Sequence, residues 1–359
     1  MDAGPAAVIG RQRPVAVQQH GRHSVMEEEM GKHVAVAGAT GAVGEVMRKV
    51  LIERNFPIAS IKLLASQRSA GKKVTFGDDE VEVELLRPDA FEGVEIALFS
   101  IPTEVSRQIA PEAAKRGCVV IDNSNAFRMD PGTPLVVPEV NPEKVAEHQG
   151  IIANPNCSTI QMVVALKPLH DAARIKRVVV STYQAVAGAG HRQIVELREQ
   201  ARRLLAGEES PPRYFPYQIA FNLIPQIDVF QPDGYTLEET KMVNETKKIL
   251  DPDIDVTATC VRVPVFYGHS EAVNIETERK LSAEHARGLL ADAPGVVLLD
   301  DPDQQRYPMP LKAAGHDETF VGRVREDTTV ANGLNLWVVS DSLRKGAATN
   351  AVQIAELLL

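Results

Sequence analysis

Residues 33–44 read HVAVAGATGAVG. An apolar run leads into glycines, and EVMRKVLIERN (45–55) follows with apolar residues at helical spacing. The unit is strand, glycine turn, helix. Working outward, IKLLAS (61–66), VEIALFS (94–100) and CVVIDNS (118–124) are three more short apolar strands. Between the last two, VSRQIAPEAAKRG (105–117) reads as a helix closed by Gly117. Strands alternating with helices imply right-handed crossovers and a parallel sheet. Residues 31–155 are therefore expected to form a doubly wound, Rossmann-like α/β domain for a dinucleotide.

The glycines Gly38, Gly41 and Gly44 stand at G-x-x-G-x-x-G, with Thr40, Ala42 and Val43 between them. Such a turn lets the backbone approach a pyrophosphate, and the next helix offers its free N–H groups to the charge. The spacing departs from G-x-G-x-x-G, and a tight turn without a ligand stays open. The second strand ends in ASQRSAGKK (65–73), with no carboxylate for ribose hydroxyls. Ser66, Arg68 and Ser69 suit a 2′-phosphate, so NADP is expected over NAD; a solvated basic loop is the alternative.

The middle of the chain has another pattern. RIKRVVVSTYQAV (174–186), DVTATCVRVPVF (255–266) and SEAVNIET (270–277) are rich in Val, Thr and Ile with partial alternation, which predicts a mostly antiparallel sheet. HRQIVELREQARRLLAG (191–207) and EETKMVNETKKIL (238–250) are amphipathic helices expected to cover one of its faces. The fold expected is α/β: a dinucleotide domain over 31–155, an α+β substrate and dimerisation domain over 156–338, and a C-terminal helix over 339–359 returning to the first domain. Ser340 or Asp341 should cap that helix. Residues 1–30 show no period and no secretory signal; they are expected to be a disordered extension, with Met30 as a candidate native start.

Composition narrows the function. The chain has 359 residues, 44% hydrophobic and 24% charged, as expected of a globular protein. A net charge of -9 gives no basic excess for nucleic acid. No apolar stretch reaches the ~18 residues of a membrane span. Three cysteines, Cys118, Cys157 and Cys260, make neither a disulfide framework nor a metal-ligand spacing, so a reducing cytoplasm and no metal are expected.

Cys157 stands apart. It lies in NPNCST (154–159), at the start of STIQMVVALKPLHDAA, which reads as a helix. A helix N-terminus favours a thiolate and can lower its pKa from about 8.5. Cys118 and Cys260 sit inside strand-like runs and are expected to be inert. Of nine histidines, His269 ends CVRVPVFYGH where a strand breaks, which makes it the candidate base. Arg262, flanked by valines, is conspicuous because a buried cation without a partner costs several kcal/mol, of order 3–5.

GATGAVG, ASQRSAGK, DNSNAFRMD, NPNCST, STYQAVAGAG, CVRVPVFYGHS and SLRKGAATNAVQIAE occur in this order. Together they resemble aspartate-β-semialdehyde dehydrogenase of the bacterial type over residues 32–359. The resemblance implies NADPH-dependent reduction of aspartyl 4-phosphate to aspartate 4-semialdehyde with release of phosphate, a step of lysine, threonine, methionine and diaminopimelate biosynthesis. By similarity, Cys157 would form the thioester, His269 would manage the thiohemiacetal proton and Gln184 would orient the acyl group. Arg262 would bind the α-carboxylate, and Arg128, Asn156 and Lys241 the phosphate. Glu238 would meet the amine; ordinary helix surface is the other reading, since Thr236 and Glu239 form a capping-box pattern. Gly188, Asn350 and the Gly346–Ala347 stretch resemble contacts to the cofactor. The resemblance also implies a homodimer, or a dimer of such dimers. One departure is Ile101–Pro102, where the family commonly has small residues. The rival enzyme is an N-acetyl-γ-glutamyl-phosphate reductase; the rival from another class is a non-catalytic NADP-binding sensor.

Overall fold

The computed structural model describes residues 31–359, so the expectations for residues 1–30 and for Met30 lie outside the described residues. Strand β1 (Lys32–Ala37) runs into the glycine turn and helix α1 (Ala42–Glu53). Then come β2 (Ile58–Ala65), β3 (Lys73–Phe76), β4 (Asp79–Leu85), β5 (Ile96–Phe99), α2 (Thr103–Ala114), β6 (Val119–Asp122) and β7 (Ile151–Ala153). They form one sheet in the order β3-β4-β2-β1-β5-β6-β7. All pairings are parallel except β3 with β4. The chain order reverses between β1 and β5, and a doubly wound sheet binds its ligand at such a reversal.

Two glycines make that point possible. Gly38 has φ +84°, and a Cβ on it would lie 2.0 Å from the Ser100 carbonyl oxygen, just beyond β5. A Cβ on Gly44 would lie 2.2 Å from the Gly38 carbonyl oxygen, so α1 packs directly on the turn. Backbone cannot yield at either place. Gly44→Ala is expected to lower stability by about 2 kcal/mol or more. It should also weaken dinucleotide binding; thermal melting and a fluorescence titration with NADPH check both.

The second half begins with α3 (Cys157–Ala173) and β8 (Ile175–Gln184), followed by α4 (His191–Leu205), α5 (Leu237–Ile249), β9 (Asp255–Arg262), β10 (His269–Thr277), α6 (Ala283–Ala291), β11 (Val296–Leu298), β12 (Thr319–Asp327), β13 (Gly333–Ser340) and α7 (Thr349–Glu356). The sheet order is β11-β12-β13-β10-β8-β9. Pairings β10/β8, β10/β13 and β12/β13 are antiparallel, while β8/β9 and β11/β12 are parallel. The sheet is thus mixed, with the antiparallel pairs at its centre.

One face of this sheet carries Val178, Val180, Ala258, Val273, Ile275 and Val338, buried against Leu166 and Leu169 of α3, Met242 of α5 and Leu290 of α6. Each valine, isoleucine, leucine or methionine among them contributes roughly 1.5–3 kcal/mol on burial. Helix α5 covers the face as expected; α4 does not. Its stripe, Ile194 and Leu197, packs instead on Ile219, Ala220, Ile224 and Leu343, with Val43 and Val46 of α1 against the same cluster. Its apolar stripe is too narrow to compete with α3, which is buried over most of its length. The C-terminal helix returns to the first domain: Ala351, Val352, Ile354 and Ala355 of α7 share a core with Val34, Met47 and Leu51. Asp341 caps the approach by accepting from the Leu343 and Arg344 amides, but α7 itself starts only at Thr349, after a π-turn over Arg344–Ala348. Among the described residues no helix is long and apolar enough to cross a membrane.

Candidate active site

Strand β7 leaves the parallel sheet and the chain reaches Cys157 in four residues, Asn154–Pro155–Asn156–Cys157. Asn156 is extended and caps α3, its Oδ1 accepting from the Ser158 amide and, at 3.2 Å, from the Cys157 thiol. The N-terminus of α3 therefore delivers Cys157 to the junction of the two sheets. A cavity of about 530 Å³ opens there, lined by Cys157, Asn156, Arg128, Gln184, Glu238, Lys241 and Arg262, among others.

The second sheet presents its polar end to this cavity. Along the face that meets α3, the strands are apolar at one end and polar at the other. Arg262, Gln184, His269 and Ser340 stand opposite one another across β9, β8, β10 and β13. The next row inward is Cys260, Thr182, Glu271 and Val338. Side chains of one row point the same way because of the strand's two-residue period. Register alone thus gathers Arg262, Gln184 and His269 from segments far apart in sequence.

The charges are arranged with spare donors. Arg262 is buried and donates Nη1 to the Ala185 carbonyl at 2.7 Å, leaving its other N–H groups free. Arg128, also buried, donates Nε to Asn154 O, Nη1 to Glu245 Oε1 and Nη2 to Asn123 O. One N–H on each terminal nitrogen remains, a fork suited to two anionic oxygens. Glu238 accepts from Gln184 Nε2 at 3.1 Å and Lys241 Nζ at 3.2 Å. Burial pushes the Glu238 carboxyl up, but Lys241, Asn156, Gln184 and Arg262 together outweigh it and hold the group below the ordinary carboxylate range. Lys241 also donates to Asp228, and these two acids keep its ammonium above its usual value despite burial. Thr236 and Glu239 do form the capping box of α5, and Glu238 and Lys241 nevertheless line the cavity.

The thiol corrects an expectation. Burial pushes Cys157 up to about 12, and the Glu238 carboxylate adds to this; Arg262, Arg128 and the Ser158 amide pull the other way without prevailing. The helix end alone does not make a thiolate here. Cys118 and Cys260 are also raised by burial, and unlike Cys157 neither lines the cavity. His269 is fully buried, and burial with Arg262 drives its pKa down to about 3. Its Nδ1 accepts from the Ala185 amide at 3.0 Å, so the neutral ring carries its proton on Nε2. Gly188 lines the cavity and has no side chain to hold this ring off: a Cβ there would lie 2.9 Å from Cε1 and from Nε2, so Nε2 lies directly behind the bare backbone of the wall.

The dinucleotide end fits its group. Gly38 and Gly44 leave the cradle a Cβ would fill, and the N-cap of α1, Gly41, has no side chain to claim the first amides of the helix. Ala42 packs beside Val43, which reaches the cavity wall. Thr40 Oγ1 donates to Ser69 Oγ at 3.2 Å, joining the glycine turn to the turn after β2. Ser66 and Arg68 are exposed there. Ser100, Ile101 and Pro102 line the cavity, so the departure from small residues lies on its wall. Asn350 does not. It is fully buried, with Nδ2 on Val136 O and Asn154 Oδ1 and its Oδ1 taken by Lys345, which is a correction to its expected contact role.

Several site residues escaped the sequence. Glu245 holds both Arg128 and the Asn156 amide, the latter at 2.7 Å. It stands seven residues after Glu238 on the same helical stripe, a signal that could have found it. Asn123, Asn154 and Lys345 gave no local signal.

A doubly wound domain joined to a mixed-sheet domain, with a thiol at a helix N-terminus between them, defines a class: two-domain dinucleotide oxidoreductases with a cysteine at the domain junction. Comparison with known proteins narrows it. Residues 33–148 match the semialdehyde dehydrogenase NAD binding domain and residues 166–345 the semialdehyde dehydrogenase dimerisation domain. Aspartate-semialdehyde dehydrogenase of Aquifex aeolicus is 58% identical over 335 residues, 92% of this chain and 98% of that one. The crystal structure of aspartate semialdehyde dehydrogenase II from Vibrio cholerae complexed with ASA has a TM-score of 0.89 at 53% identity, covering 92% of this chain and 98% of that one. Aspartate semialdehyde dehydrogenase from Candida albicans, solved with NADP, has a TM-score of 0.71 at 26% identity over 91% and 98%. The chain belongs to the aspartate-semialdehyde dehydrogenase family.

Proposed function

We propose that the protein reduces L-aspartyl 4-phosphate to L-aspartate 4-semialdehyde with NADPH, reversibly and with release of phosphate. One observation supports this best: two buried guanidinium groups, the Glu238 carboxylate and one thiol line the same cavity, where the other two charges, Lys241 and Asp228, are paired with each other at 2.8 Å. An aminoacyl phosphate has two anionic ends and one ammonium, and this set matches it charge for charge. Glu238 favours the aspartate substrate over an acetylated glutamate, because an acetylated amine carries no positive charge to set against it.

In this scheme Arg262 binds the α-carboxylate with its free edge, and Glu238 takes the ammonium. Arg128 receives the phosphate with its two spare N–H groups, and Asn156 and Lys241 complete that side. The Cys157 sulfur attacks the acyl carbon, the bond to the phosphate oxygen breaks, phosphate leaves carrying the thiol proton, and a thioester remains. The cofactor, when bound, supplies the hydride. Gln184, tied to Ser158 and Glu238, orients the acyl group. His269, with its proton on Nε2, donates to the oxygen that becomes anionic. Gly38, Gly41, Gly44 and the turn Ser66–Ser69 hold the dinucleotide.

We place the NADP-binding part at 31–155, the catalytic and dimerisation part at 156–338 and the returning helix at 339–359. The dimerisation-domain match supports a homodimer. A dimer of dimers would double the mass seen by sedimentation. Three free cysteines suit a reducing cytoplasm.

The test is the reverse reaction. Aspartate semialdehyde should reduce NADP only when phosphate or arsenate is present. Preference for N-acetylglutamate semialdehyde would overturn the substrate, and no reduction with either would favour a sensor. Arg68→Ala is expected to lower kcat/KM for NADP by about tenfold or more, the worth of one charge-assisted phosphate contact, and to leave NAD nearly unchanged. Equal losses with both cofactors would remove Arg68 from the 2′-phosphate.

A further inference from the structure

We propose that Lys345 is a positioning residue whose buried ammonium sets the two cavity walls on which Cys157 and Arg128 depend. The inference rests on the assignment of Arg128 to phosphate given above. Lys345 sits in the π-turn Arg344–Ala348, a rare geometry that often marks functional sites. Here the Gly346 amide donates to Asp341 O and the Ala348 amide to Leu343 O. The turn lays Gly346 directly on Cys157: a Cβ on Gly346 would lie 2.8 Å from the Cys157 Cβ. Gly346 and Ala347 both line the cavity.

The Lys345 side chain turns inward and is completely buried. Its Nζ meets three acceptors: Glu139 Oε2 at 2.6 Å, Gln353 Oε1 at 2.7 Å and Asn350 Oδ1 at 2.9 Å. Three acceptors require three N–H bonds, so the group is an ammonium, balanced by Glu139. Gln353 donates its Nε2 to the other Glu139 oxygen, which fixes its orientation.

From Lys345 a chain of amides runs in one sense. Asn350 Nδ2 donates to Asn154 Oδ1 at 2.6 Å. Asn154 Nδ2 donates to Asn123 Oδ1, and Asn123 Nδ2 to Phe99 O. Each amide can take this orientation only if its oxygen faces a donor, and the ammonium starts the series. The backbone carbonyls of Asn154 and Asn123 are the two that hold Arg128 Nε and Nη2. Asn154 is also three residues before Cys157. The relay therefore ties the π-turn over the thiol to the mount of the phosphate-binding arginine. Stability does not demand such a pair, since apolar replacements of buried ion pairs are often as stable. What the ammonium adds is the donor that the Asn350 oxygen faces at the head of the series, whose orientation the Val136 and Phe99 carbonyls also favour.

The test uses the full-length protein as Lys345→Met and as Glu139→Gln/Lys345→Met. The double variant leaves no unpaired buried carboxylate, and it carries the measurement if the single variant does not fold. In the folded double variant, KM for inorganic phosphate should rise at least fivefold. The rate of Cys157 alkylation by iodoacetamide should change at least threefold. Either quantity at its wild-type value overturns the proposal, because a role in folding alone would move neither once folding is restored. Alkylation needs no substrate. A changed alkylation rate, in a protein whose wild type shows no phosphate-dependent turnover, would therefore remove the proposed reaction and leave the positioning role standing.

Discussion

Replacing Cys157 by serine is expected to lower turnover of aspartate semialdehyde by on the order of a thousandfold or more while the protein still folds and binds NADPH. The side chain is nearly the same size, so Gly346 can keep its close seat on residue 157. The Asn156 cap depends on the Ser158 amide and is untouched. What changes is chemistry. A thiol loses its proton more readily than a hydroxyl, and sulfur leaves more readily from a tetrahedral centre. The hydroxyl has no base at hand: His269 carries its proton on Nε2 and turns its lone pair to the Ala185 amide. The checks are steady-state rates with both cofactors, a fluorescence titration with NADPH and mass spectrometry after mixing with substrate. Wild type should show an acyl adduct on Cys157 when hydride is withheld; the variant should show none. Undiminished turnover in the variant would end the thioester mechanism.

Much of this site could be anticipated from local pattern. Strand–glycine–helix punctuation located the parallel sheet because it depends only on neighbours along the chain. Cys157 is legible as a helix start because STIQMVVALKPLHDAA reads as a helix beginning at Cys157 or Ser158, and α3 does begin at Cys157. His269 reads from sequence as the end of a strand, but β9 stops at Arg262 and His269 instead begins β10. Other features depended on distant partners and had no local trace. The parallel pairing of β8 with β9 is one: the residues between them include α4 and α5, and alternation gives a strand's faces but not its direction. The seat of α4 is another, since its stripe fits a loop as well as a sheet. Asn350 looks from sequence like a polar residue free to touch a ligand, and only the fold reveals that Lys345, Asn154 and Val136 already claim it. The thiol's charge is the clearest case. Its helix N-terminus is local, but burial and the Glu238 carboxylate, 81 positions away in sequence, decide its protonation.

That carboxylate yields the second large effect, and it has opposite signs in two measurements. Glu238→Gln should raise the rate at which iodoacetamide alkylates Cys157 in the free enzyme and lower turnover. The sign follows from charge. With the thiol pushed up to about 12, only about one molecule in ten thousand is thiolate at pH 8. Alkylation of wild type should therefore climb about tenfold per pH unit through the alkaline range, without a plateau below pH 10. Glutamine keeps the shape of residue 238 and removes its negative charge, so the thiolate becomes cheaper. The cations facing the sulfur, Arg262 and Arg128, then act with less opposition, and Lys241 loses one of its two acids while keeping Asp228. The alkylation curve should move to lower pH by about one unit, a roughly tenfold faster reaction at pH 8. Turnover should fall by about a hundredfold, because the substrate ammonium loses its partner and Gln184 loses an acceptor. In wild type the ammonium would itself neutralise Glu238, so the thiol ionises more readily when an amino-acid substrate is seated. An alkylation curve in Glu238→Gln that coincides with wild type would show that burial alone sets the thiol and that Glu238 serves only to bind.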